Sequence, residues 1–365
     1  MTNEDSKKTI PLSYPDITSL EIERVLEVLK TPNITRGPVV EEFERNISRY
    51  VNLPYAIAVN SGTSALHLVV RGLGLKEGDE VITTPFSFIA SSNCLLMENV
   101  TPVFVDVDPL TGNIDPSLIE EKITQRTKAI LVVDVFGHPA DMDKINQIAK
   151  KHGIKVIEDS CEAIGAEYNG EKVGSKCDAA VFAFYPNKQI TTGEGGVIVT
   201  ANEELAKLCS SMRNQGRNEE LEWLSHERLG YNYWMDGMSA AMGTAQLERI
   251  QEILGKRQQV AEIYNERLKD IAGVTTQHIS PNVKMSWFVY VVRVREEIRD
   301  KVMDSLKRGG IACREYFPPI HLQPLYRNKF GYKEGDFPVA EKIGSQSIAL
   351  PFHNNLKEEE IIYIV

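Results

Sequence analysis

The first candidate for chemistry is Lys188, in the stretch FAFYPNKQITTGEGG (182–196). It follows an apolar run typical of a buried strand and precedes a glycine-rich turn, where the backbone can approach a ligand closely. A lysine amine held in a cleft can lose its proton and attack a carbonyl carbon, forming a Schiff base. A lysine at a strand end is also often only solvated, and the spacing of the glycines does not match a P-loop.

A second candidate is VNSGTSALHLVV (59–70), which indicates a strand, a Ser61-Gly62-Thr63-Ser64 turn and a helix. The free N–H groups at a helix start can bind an anion such as a phosphate, and Gly62 permits the tight turn. The alternative is that a serine or threonine of this turn only caps the helix.

Two further segments place polar or aromatic residues after apolar strands. Asp159, in VIEDSCEAIGA (156–166), ends a strand, where a carboxylate is costly to bury unless it meets a cation. That cation could be a protonated ring nitrogen, a structural ion-pair partner, or none if Asp159 is a helix cap. Phe86 and Phe88, in TTPFSFIASSN (83–93), could stack on a flat ring, or they could belong to the core.

Together these segments require one ligand with a phosphate, a flat ring, a ring nitrogen that needs a carboxylate, and an aldehyde for a lysine. Pyridoxal 5′-phosphate has all four features. An acidic partner keeps the ring nitrogen of this cofactor protonated, so that the ring can accept electrons. We therefore expect pyridoxal 5′-phosphate as the cofactor, and we expect no metal.

The elements that must position these residues follow an alternating pattern. Short runs rich in valine, isoleucine and phenylalanine alternate with helical stretches, which predicts an α/β fold with a mostly parallel sheet and helices on both faces. In such sheets, ligands bind beyond the carboxyl ends of the strands. The apolar runs are 55–60, 79–86, 101–107, 128–136, 155–160 and 178–184.

The C-terminal third has a different pattern. Residues 238–271 predict one long connecting helix, 286–294 a strand, and the segment after Gly309-Gly310 another strand. We therefore expect a large cofactor-binding domain over residues 1–250, N-terminal segment included, and a smaller α+β domain over residues 251–365.

Composition limits the class of protein. The chain has 365 residues, 42% of them hydrophobic, and a net charge of −10 without a basic block, which argues against nucleic-acid binding. Its five cysteines are scattered and form no CxxC pair, which favours reduced thiols in the cytoplasm. No stretch is long and apolar enough to span a membrane, and the N-terminus does not resemble a secretory signal.

Six segments in the same order resemble the DegT/DnrJ/EryC1/StrS family of sugar aminotransferases, which are pyridoxal phosphate enzymes of fold type I. The resemblance covers nearly the whole chain. The segments are ITRGPVVEEFE (34–44), SGTSALHL (61–68), EDSCEAIGA (158–166), FYPNKQITTGEGG (184–196), LGYNYWMDGMSAAMGTAQLE (229–248) and PPIHLQPLY (318–326).

The resemblance implies a role for each matching residue. Lys188 would form the Schiff base and move protons, Asp159 would pair with the pyridine nitrogen, and Phe88 would stack on the ring. The other positions implied to contact the cofactor or the substrate are Gly62, Thr63 and Ser64 at the phosphate, Glu162 beside the ring, Asn232 reaching the phosphate of the neighbouring subunit, and Arg217 and His321 near the substrate. The position of Asn232 implies a homodimer with active sites at the interface.

Two positions depart from the family pattern. Ala183 stands where many members have a serine that donates to the phosphate, a hydrogen bond worth about 1.5–3 kcal/mol. Ser64 or Gln189 could replace that donor. Glu162 stands where glutamine or histidine is common, and its carboxylate could alter the pKa of the aldimine or only mark a subgroup of the family.

The resemblance implies transfer of an amino group from an amino acid, glutamate in our expectation, to a keto carbon of a nucleotide-linked sugar, at C4. A sugar dehydratase on the same scaffold has histidine in place of the lysine, so Lys188 argues against it. Lys188 and Asp159 also argue against a non-catalytic cofactor-binding regulator. A Rossmann dehydrogenase is disfavoured because RGLGLKEG (71–78) lacks the strand context. We expect the smaller domain and the loop 214–234 to select the substrate.

Overall fold

A computed structural model describes residues 9–218 and 225–365. Twelve helices and twelve strands are numbered here in chain order within those residues. The helices are α1 Ser19–Leu29, α2 Pro38–Val51, α3 Gly62–Gly72, α4 Ala90–Leu96, α5 Met142–His152, α6 Glu203–Arg213, α7 Gly237–Glu248, α8 Ile250–Leu268, α9 Glu296–Arg308, α10 Pro324–Phe330, α11 Pro338–Gln346 and α12 Glu358–Ile364.

The strands are β1 Tyr55–Val59, β2 Glu80–Thr83, β3 Thr101–Phe104, β4 Thr127–Val133, β5 Lys155–Asp159, β6 Glu167–Tyr168, β7 Glu171–Lys172, β8 Ala179–Ala183, β9 Gly196–Thr200, β10 Val283–Lys284, β11 Tyr290–Arg293 and β12 Ser347–Leu350. Short 3₁₀ turns at Val135–Gly137 and Ile320–Leu322 contribute to the description of the site below.

The main sheet has seven strands in the order β1-β9-β8-β5-β4-β2-β3. Every pair from β8 to β3 is parallel, whereas β9 is antiparallel to both β8 and β1. Strands such as β4 are buried on both faces because helices cover the sheet on both sides, and β4 is accordingly almost purely aliphatic. The predicted α/β class, mostly parallel with helices on both faces, is confirmed.

The C-terminal part forms a smaller layer of helices around the antiparallel pair β11-β12. Helix α8 begins at Ile250, close to the expected domain boundary. The N-terminal segment also contacts this part, because Ile10 bridges Ile311 and the Leu12 carbonyl accepts a hydrogen bond from the Phe352 N–H. The proposed division at residue 250 remains a prediction.

Two predicted elements differ from the structure. The single helix expected over 238–271 is two helices, α7 and α8, separated at Arg249 (φ −98°, ψ 6°). The guanidinium of Arg249 binds Asp16 and Glu21 of the N-terminal segment, and these contacts hold the chain at the break. The strand expected after Gly309-Gly310 is reduced to isolated bridges at Ile311 and Arg314, since β12 is the hydrogen-bonded neighbour of β11.

The cysteines and the helices agree with two further expectations. Cys94, Cys161, Cys177, Cys209 and Cys313 are all free thiols. Across the ranges that the structure describes, no helix is both long and apolar enough to cross a membrane.

The contacts of Arg249 give a prediction for stability. Its Nη1 lies 2.7 Å from Glu21 Oε1, and the Glu21 side chain is 1% exposed. Burial alone would raise the pKa of Glu21, but hydrogen bonds from Thr18 and Arg249 lower that pKa to about 2. Replacing Arg249 leaves a buried carboxylate without its cation, so we expect Arg249→Met to lower the free energy of unfolding by about 3 kcal/mol.

Arg267→Met is the matched control, because the Arg267–Glu358 pair is about half exposed on both sides. An exposed pair contributes at most about 1 kcal/mol. Urea unfolding at neutral pH measures both variants, and equal losses would contradict the importance of the buried pair.

Candidate active site

The carboxyl ends of β1, β2, β4, β5 and β8 lie at one edge of the main sheet. The segments that follow these strands surround a cavity of about 520 Å³, and Lys188, Asp159 and Glu162 all line it. Lys188 reaches this edge because it lies in the connection between β8 and the antiparallel β9, which returns directly along β8 with Ala183 opposite Gly196. The topology therefore gathers side chains that are far apart in sequence.

The Lys188 amine is held by one carboxylate and one aromatic ring. Its Nζ lies 3.7 Å from Glu162 Oε1 and 4.0 Å from the centre of the Phe288 ring. The lysine side chain is only 13% exposed. A lysine in this setting is confined and oriented, as a nucleophile for a carbonyl group must be.

Glu162 is a buried carboxyl group on the wall of the cavity. Burial raises its pKa, and the charge of Lys188 and the hydrogen bond from Phe136 N to Oε2 (2.9 Å) offset that rise only in part. Glu162 can therefore hold a proton nearer to neutral pH than a solvated glutamate can, which suits it to exchange a proton with a neighbouring group.

Asp159 ends β5 and is 5% exposed. Its carboxylate accepts hydrogen bonds from Ser91 Oγ (2.7 Å) and Cys161 N (3.2 Å). No lysine, arginine or histidine within residues 9–218 and 225–365 forms an ion pair with it. A buried carboxylate that has no ion-pair partner is costly unless a ligand supplies a cation. The protonated nitrogen of a pyridine ring is such a cation.

The predicted phosphate-binding turn, Ser61-Gly62-Thr63-Ser64, can fill both of the roles that its sequence allows. Ser61 caps α3, since its Oγ accepts from Ser64 N (3.1 Å), and Ser64 Oγ lies 2.9 Å from Ser61 Oγ. Gly62 and Thr63 line the cavity, and within the described residues their backbone N–H groups donate to no acceptor. The helix start can therefore bind an anion, while the Ser64 hydroxyl is engaged with the cap.

The two phenylalanines of the 83–93 segment have different environments. Phe86 is fully buried and packs edge-on against Phe136 and Phe317, so it belongs to the core. Phe88 is 62% exposed, although it is a large apolar residue, and it lines the cavity. Its exposed ring provides a surface on which a flat ligand can stack.

Besides Ser64, Phe86 and Gln189, three more of the residues named from sequence do not line this cavity. Asn232 is exposed on the surface, and its carbonyl lies 3.5 Å from Asn60 Nδ2. His321 is fully buried, with Nε2 2.9 Å from Glu341 Oε1 and the ring against Phe337. Arg217 bridges His226 through its backbone, beside residues 219–224 of the loop 214–234, which lie outside the described residues. Their functional roles remain predictions.

Gln189 is engaged away from the phosphate-binding turn. Its amide nitrogen donates to the backbone carbonyls of Glu162 (2.6 Å) and Ser286 (3.0 Å). Gln189 therefore ties the segment around Lys188 to the C-terminal part of the chain, and it does not replace the donor that Ala183 lacks.

The sequence did not identify the residues that the C-terminal part of the chain contributes to the cavity. Phe288 lies in the predicted strand 286–294, and Tyr316 lies in the segment that follows Gly309-Gly310. Both residues line the cavity. Burial and the charge of Glu162 raise the pKa of Tyr316 to about 12, so its hydroxyl stays protonated. Neither residue is distinguished by a local motif, because their place in the site depends on how the two parts of the chain pack.

Arg257 of α8 is a second residue that sequence reasoning missed. It is buried and donates from Nε to the Trp287 carbonyl and from Nη2 to the Phe288 carbonyl, both at 2.6 Å. Its pKa falls to about 10 because burial penalises the charge. The guanidinium thus fixes the backbone that carries Phe288 and holds its ring on Lys188.

The residues present fit pyridoxal 5′-phosphate. The start of α3 offers N–H groups for the phosphate, Phe88 offers a ring surface, Asp159 offers a carboxylate without a cation, and Lys188 offers a confined amine. These four features lie in one cavity, which sequence alone could only suggest.

Comparison with known proteins agrees with this geometry. Residues 15–365 match the DegT/DnrJ/EryC1/StrS aminotransferase family. A GDP-perosamine synthase of Escherichia coli O157:H7 is 38% identical over 359 residues, 98% of this chain and 97% of that protein. DesV of Streptomyces venezuelae, solved with a ketimine intermediate, superposes with a TM-score of 0.92 at 33% identity, covering 98% of this chain and 96% of that one.

Spr1654 of Streptococcus pneumoniae, in its PLP-form, superposes with a TM-score of 0.93 at 31% identity and covers 98% of this chain and 97% of that chain. Fold and site thus define an aminotransferase of fold type I. The chain belongs to the DegT/DnrJ/EryC1/StrS aminotransferase family. The predictions of a sugar aminotransferase and of pyridoxal phosphate as its cofactor are confirmed.

The tight packing at Gly62 gives a prediction for cofactor binding. A Cβ at Gly62 would lie 2.8 Å from the Ala183 Cβ and 3.0 Å from Cys161 Sγ, so the start of α3 would have to shift. We expect Gly62→Ala to weaken the binding of pyridoxal phosphate by about tenfold or more, because anion binding depends on the position of these N–H groups. Equilibrium dialysis of the purified protein measures the affinity.

The control is Gly255→Ala in α8, where a Cβ meets no atom within 4 Å. It should leave cofactor affinity unchanged and stabilise the helix by up to about 1 kcal/mol. Unaltered affinity in Gly62→Ala would show that the start of α3 does not bind the phosphate.

Proposed function

We propose that the protein transfers the amino group of glutamate to the keto carbon of a nucleotide-linked deoxy sugar, at C4, in the cytoplasm. The observation that carries the proposal is the convergence of Lys188, Glu162 and Asp159 in one cavity whose rim carries the exposed ring of Phe88. The name of the GDP-perosamine synthase supports a nucleotide-linked amino sugar as the product. The free thiols support a reducing compartment.

Bound in this cavity, pyridoxal phosphate supplies an aldehyde that carries the amino group and a ring that accepts an electron pair. Asp159 holds a proton on the ring nitrogen by pairing with it, and Ser91 and Cys161 orient that carboxylate. The Lys188 amine would take and return the proton at the substrate carbon. Glu162, with its raised pKa and its position 3.7 Å from Lys188 Nζ, can hold or return a proton during the exchange.

The charges in the cavity support a dimer. The cavity walls carry the carboxylates of Asp159, Glu162 and Glu194. Lys188 is the only cation among the described residues that line the cavity. The cofactor phosphate, the glutamate carboxylates and a nucleotide diphosphate would all add negative charge. A second subunit can supply the missing donors, and we propose Asn232 as one that reaches the neighbouring phosphate.

Helix α1 offers a surface for the second subunit. One face packs on α7, whereas Ile22, Leu26 and Leu29, which lie on one stripe of the helix, are about half exposed. Apolar residues at this spacing on a water-exposed face favour a protein contact. The homodimer that we propose would cover them.

The first test is the absorbance spectrum of the loaded protein before and after adding glutamate without sugar. We expect a band at the edge of the visible range that glutamate shifts to shorter wavelength, and Lys188→Ala should lose this shift because it lacks the nucleophile. Nucleotide-linked keto sugars should then restore the original band, and nuclear magnetic resonance of the product reports whether C4 or C3 carries nitrogen. A band unaffected by glutamate would contradict the proposed donor, and a product without nitrogen would indicate a dehydratase.

The second test is complementation between two inactive variants. A heterodimer of Lys188→Ala and Asn232→Asp has one site with both native residues if Asn232 acts across the interface. Mixed and re-equilibrated variants should then regain about a quarter of wild-type activity, since half of the dimers are mixed and each has one intact site. No recovery, with mixed dimers confirmed by mass spectrometry, would show that Asn232 does not act in the neighbouring site.

A further inference from the structure

A second cavity lies on the smaller part of the protein, away from Lys188. It has a volume of about 430 Å³ and lies between the end of β11, helix α11, the segment 273–275 and Pro109. None of its lining residues lines the active-site cavity. The volume falls within the roughly 300–1,000 Å³ of small-molecule sites.

The charges that line this cleft all have one sign. Arg293, Arg295 and Lys342 line it, and no aspartate or glutamate does among the described residues. The whole chain has a net charge of −10, so a cleft lined by three cations stands out against its surroundings. Clefts lined by one sign of charge concentrate ligands of the opposite sign.

These three cations have few partners within the protein. Within residues 9–218 and 225–365, Arg295 and Lys342 form no side-chain hydrogen bond or ion pair, and Arg293 donates only to the Pro109 carbonyl (2.6 Å). That one bond fixes the half-buried guanidinium and leaves most of its five donors for a ligand. Lysines and arginines elsewhere on the surface commonly pair with a carboxylate, as Lys256 does with Asp16.

Uncharged donors add to the cations. Arg295 is the N-cap of the 13-residue helix α9, which has no side-chain cap, and the N–H groups of Glu296 and Glu297 have no acceptor among the described residues. Thr275 and Gln346 line the cleft itself, whereas Glu296 and Glu297 follow its lining residue Arg295 in the chain. The nearby acids are Asp108, whose charge acts on Arg293, and the exposed Glu296 and Glu297 themselves.

We propose that this cleft is a second binding site, which takes a small molecule bearing a diphosphate group. Arg293 and Arg295 have the planar donor geometry that binds phosphate oxygens in pairs, and Lys342 supplies a third positive charge. Three cations match the charge of a diphosphate better than that of a single phosphate. Either free pyrophosphate or a nucleoside diphosphate carries this group.

The test is isothermal titration calorimetry of the full chain loaded with its cofactor. The probes are inorganic phosphate, pyrophosphate and guanosine diphosphate. We expect pyrophosphate or the nucleotide to bind with a Kd below about 1 mM, and more tightly than phosphate. The more tightly bound of the two identifies the source of the group, and tighter binding of inorganic phosphate would overturn the assignment to a diphosphate.

The variant Arg295→Gln/Lys342→Gln removes two of the cations without touching the active-site cavity. We expect it to weaken diphosphate binding by about tenfold or more, because each substitution loses a charge-assisted contact. Its matched control is Lys301→Gln/Arg308→Gln, which removes one lysine and one arginine that are exposed on α9 and do not line the cleft. Equal affinity in the wild type and both variants would overturn the proposal, since binding would then occur elsewhere, as in the active site.

Aminotransferase turnover, measured without added diphosphate, distinguishes an effect on this cleft from an effect on the proposed amino transfer. Both variants should retain wild-type turnover, because none of the four positions lines the active-site cavity. Failure of the amino-transfer test would leave the calorimetric result for the cleft unchanged.

Discussion

The structure depends on keeping three ionisable side chains in one cavity largely shielded from water. Asp159, Glu162 and Lys188 are at most 13% exposed, and each would be costly there without partners. Ser91 and Cys161 donate hydrogen bonds to Asp159, the Phe136 N–H donates one to Glu162, and the Phe288 ring and Glu162 hold Lys188. Within the described part of the chain, Asp159 still lacks a cation, and the start of α3 lacks an anion. Pyridoxal phosphate would supply both charges.

The strand order of the sheet makes this arrangement possible. Because β9 is antiparallel to β8 and follows it after a short connection, Lys188 stays at the carboxyl edge instead of being carried away by a crossover helix. The same hairpin packs closely on the phosphate-binding turn: a Cβ at Gly196 would lie 2.6 Å from the Ser61 carbonyl carbon. Glycine at this position therefore allows the lysine connection and the anion-binding helix to approach each other.

The smaller part of the chain is joined to this edge by buried hydrogen bonds. Ser286 lies between the two parts, since its N–H donates to the Gly137 carbonyl and its hydroxyl to the Ile164 carbonyl. Gln189 and Arg257 hold the same segment through hydrogen bonds to the Ser286 and Trp287 carbonyls. Movement of this segment would displace Phe288 from Lys188, so the position of the Lys188 amine depends on contacts from a helix that does not line the cavity.

Much of the site could be read from local sequence because its residues follow strand ends directly. Lys188, Asp159, Gly62 and Phe88 each stand within a few residues of an apolar run, and strand ends in a parallel sheet meet at one edge. Local sequence could not decide which of Phe86 and Phe88 belongs to the core and which faces a ligand. Nor could it decide whether Ser61-Gly62 only caps the helix or also binds an anion. Neighbours distant in sequence define these environments: Phe317 packs on Phe86 in the core, and Ala183 lies against Gly62 beside the cavity.

The sequence by itself determined the fold class and the family, and it named Lys188 and Asp159 as candidate site residues, since these rest on periodicity and on motifs within single segments. Only the tertiary structure decided that the helix pattern breaks at Arg249, that β12 pairs with β11, and that Phe288, Tyr316 and Arg257 complete or support the site. The reason is physical: these features arise from contacts between segments up to hundreds of residues apart, such as Arg249 with Asp16. A local sequence pattern reflects which secondary structure a segment prefers. Packing and buried charges then select one of the tertiary arrangements that are compatible with that secondary structure.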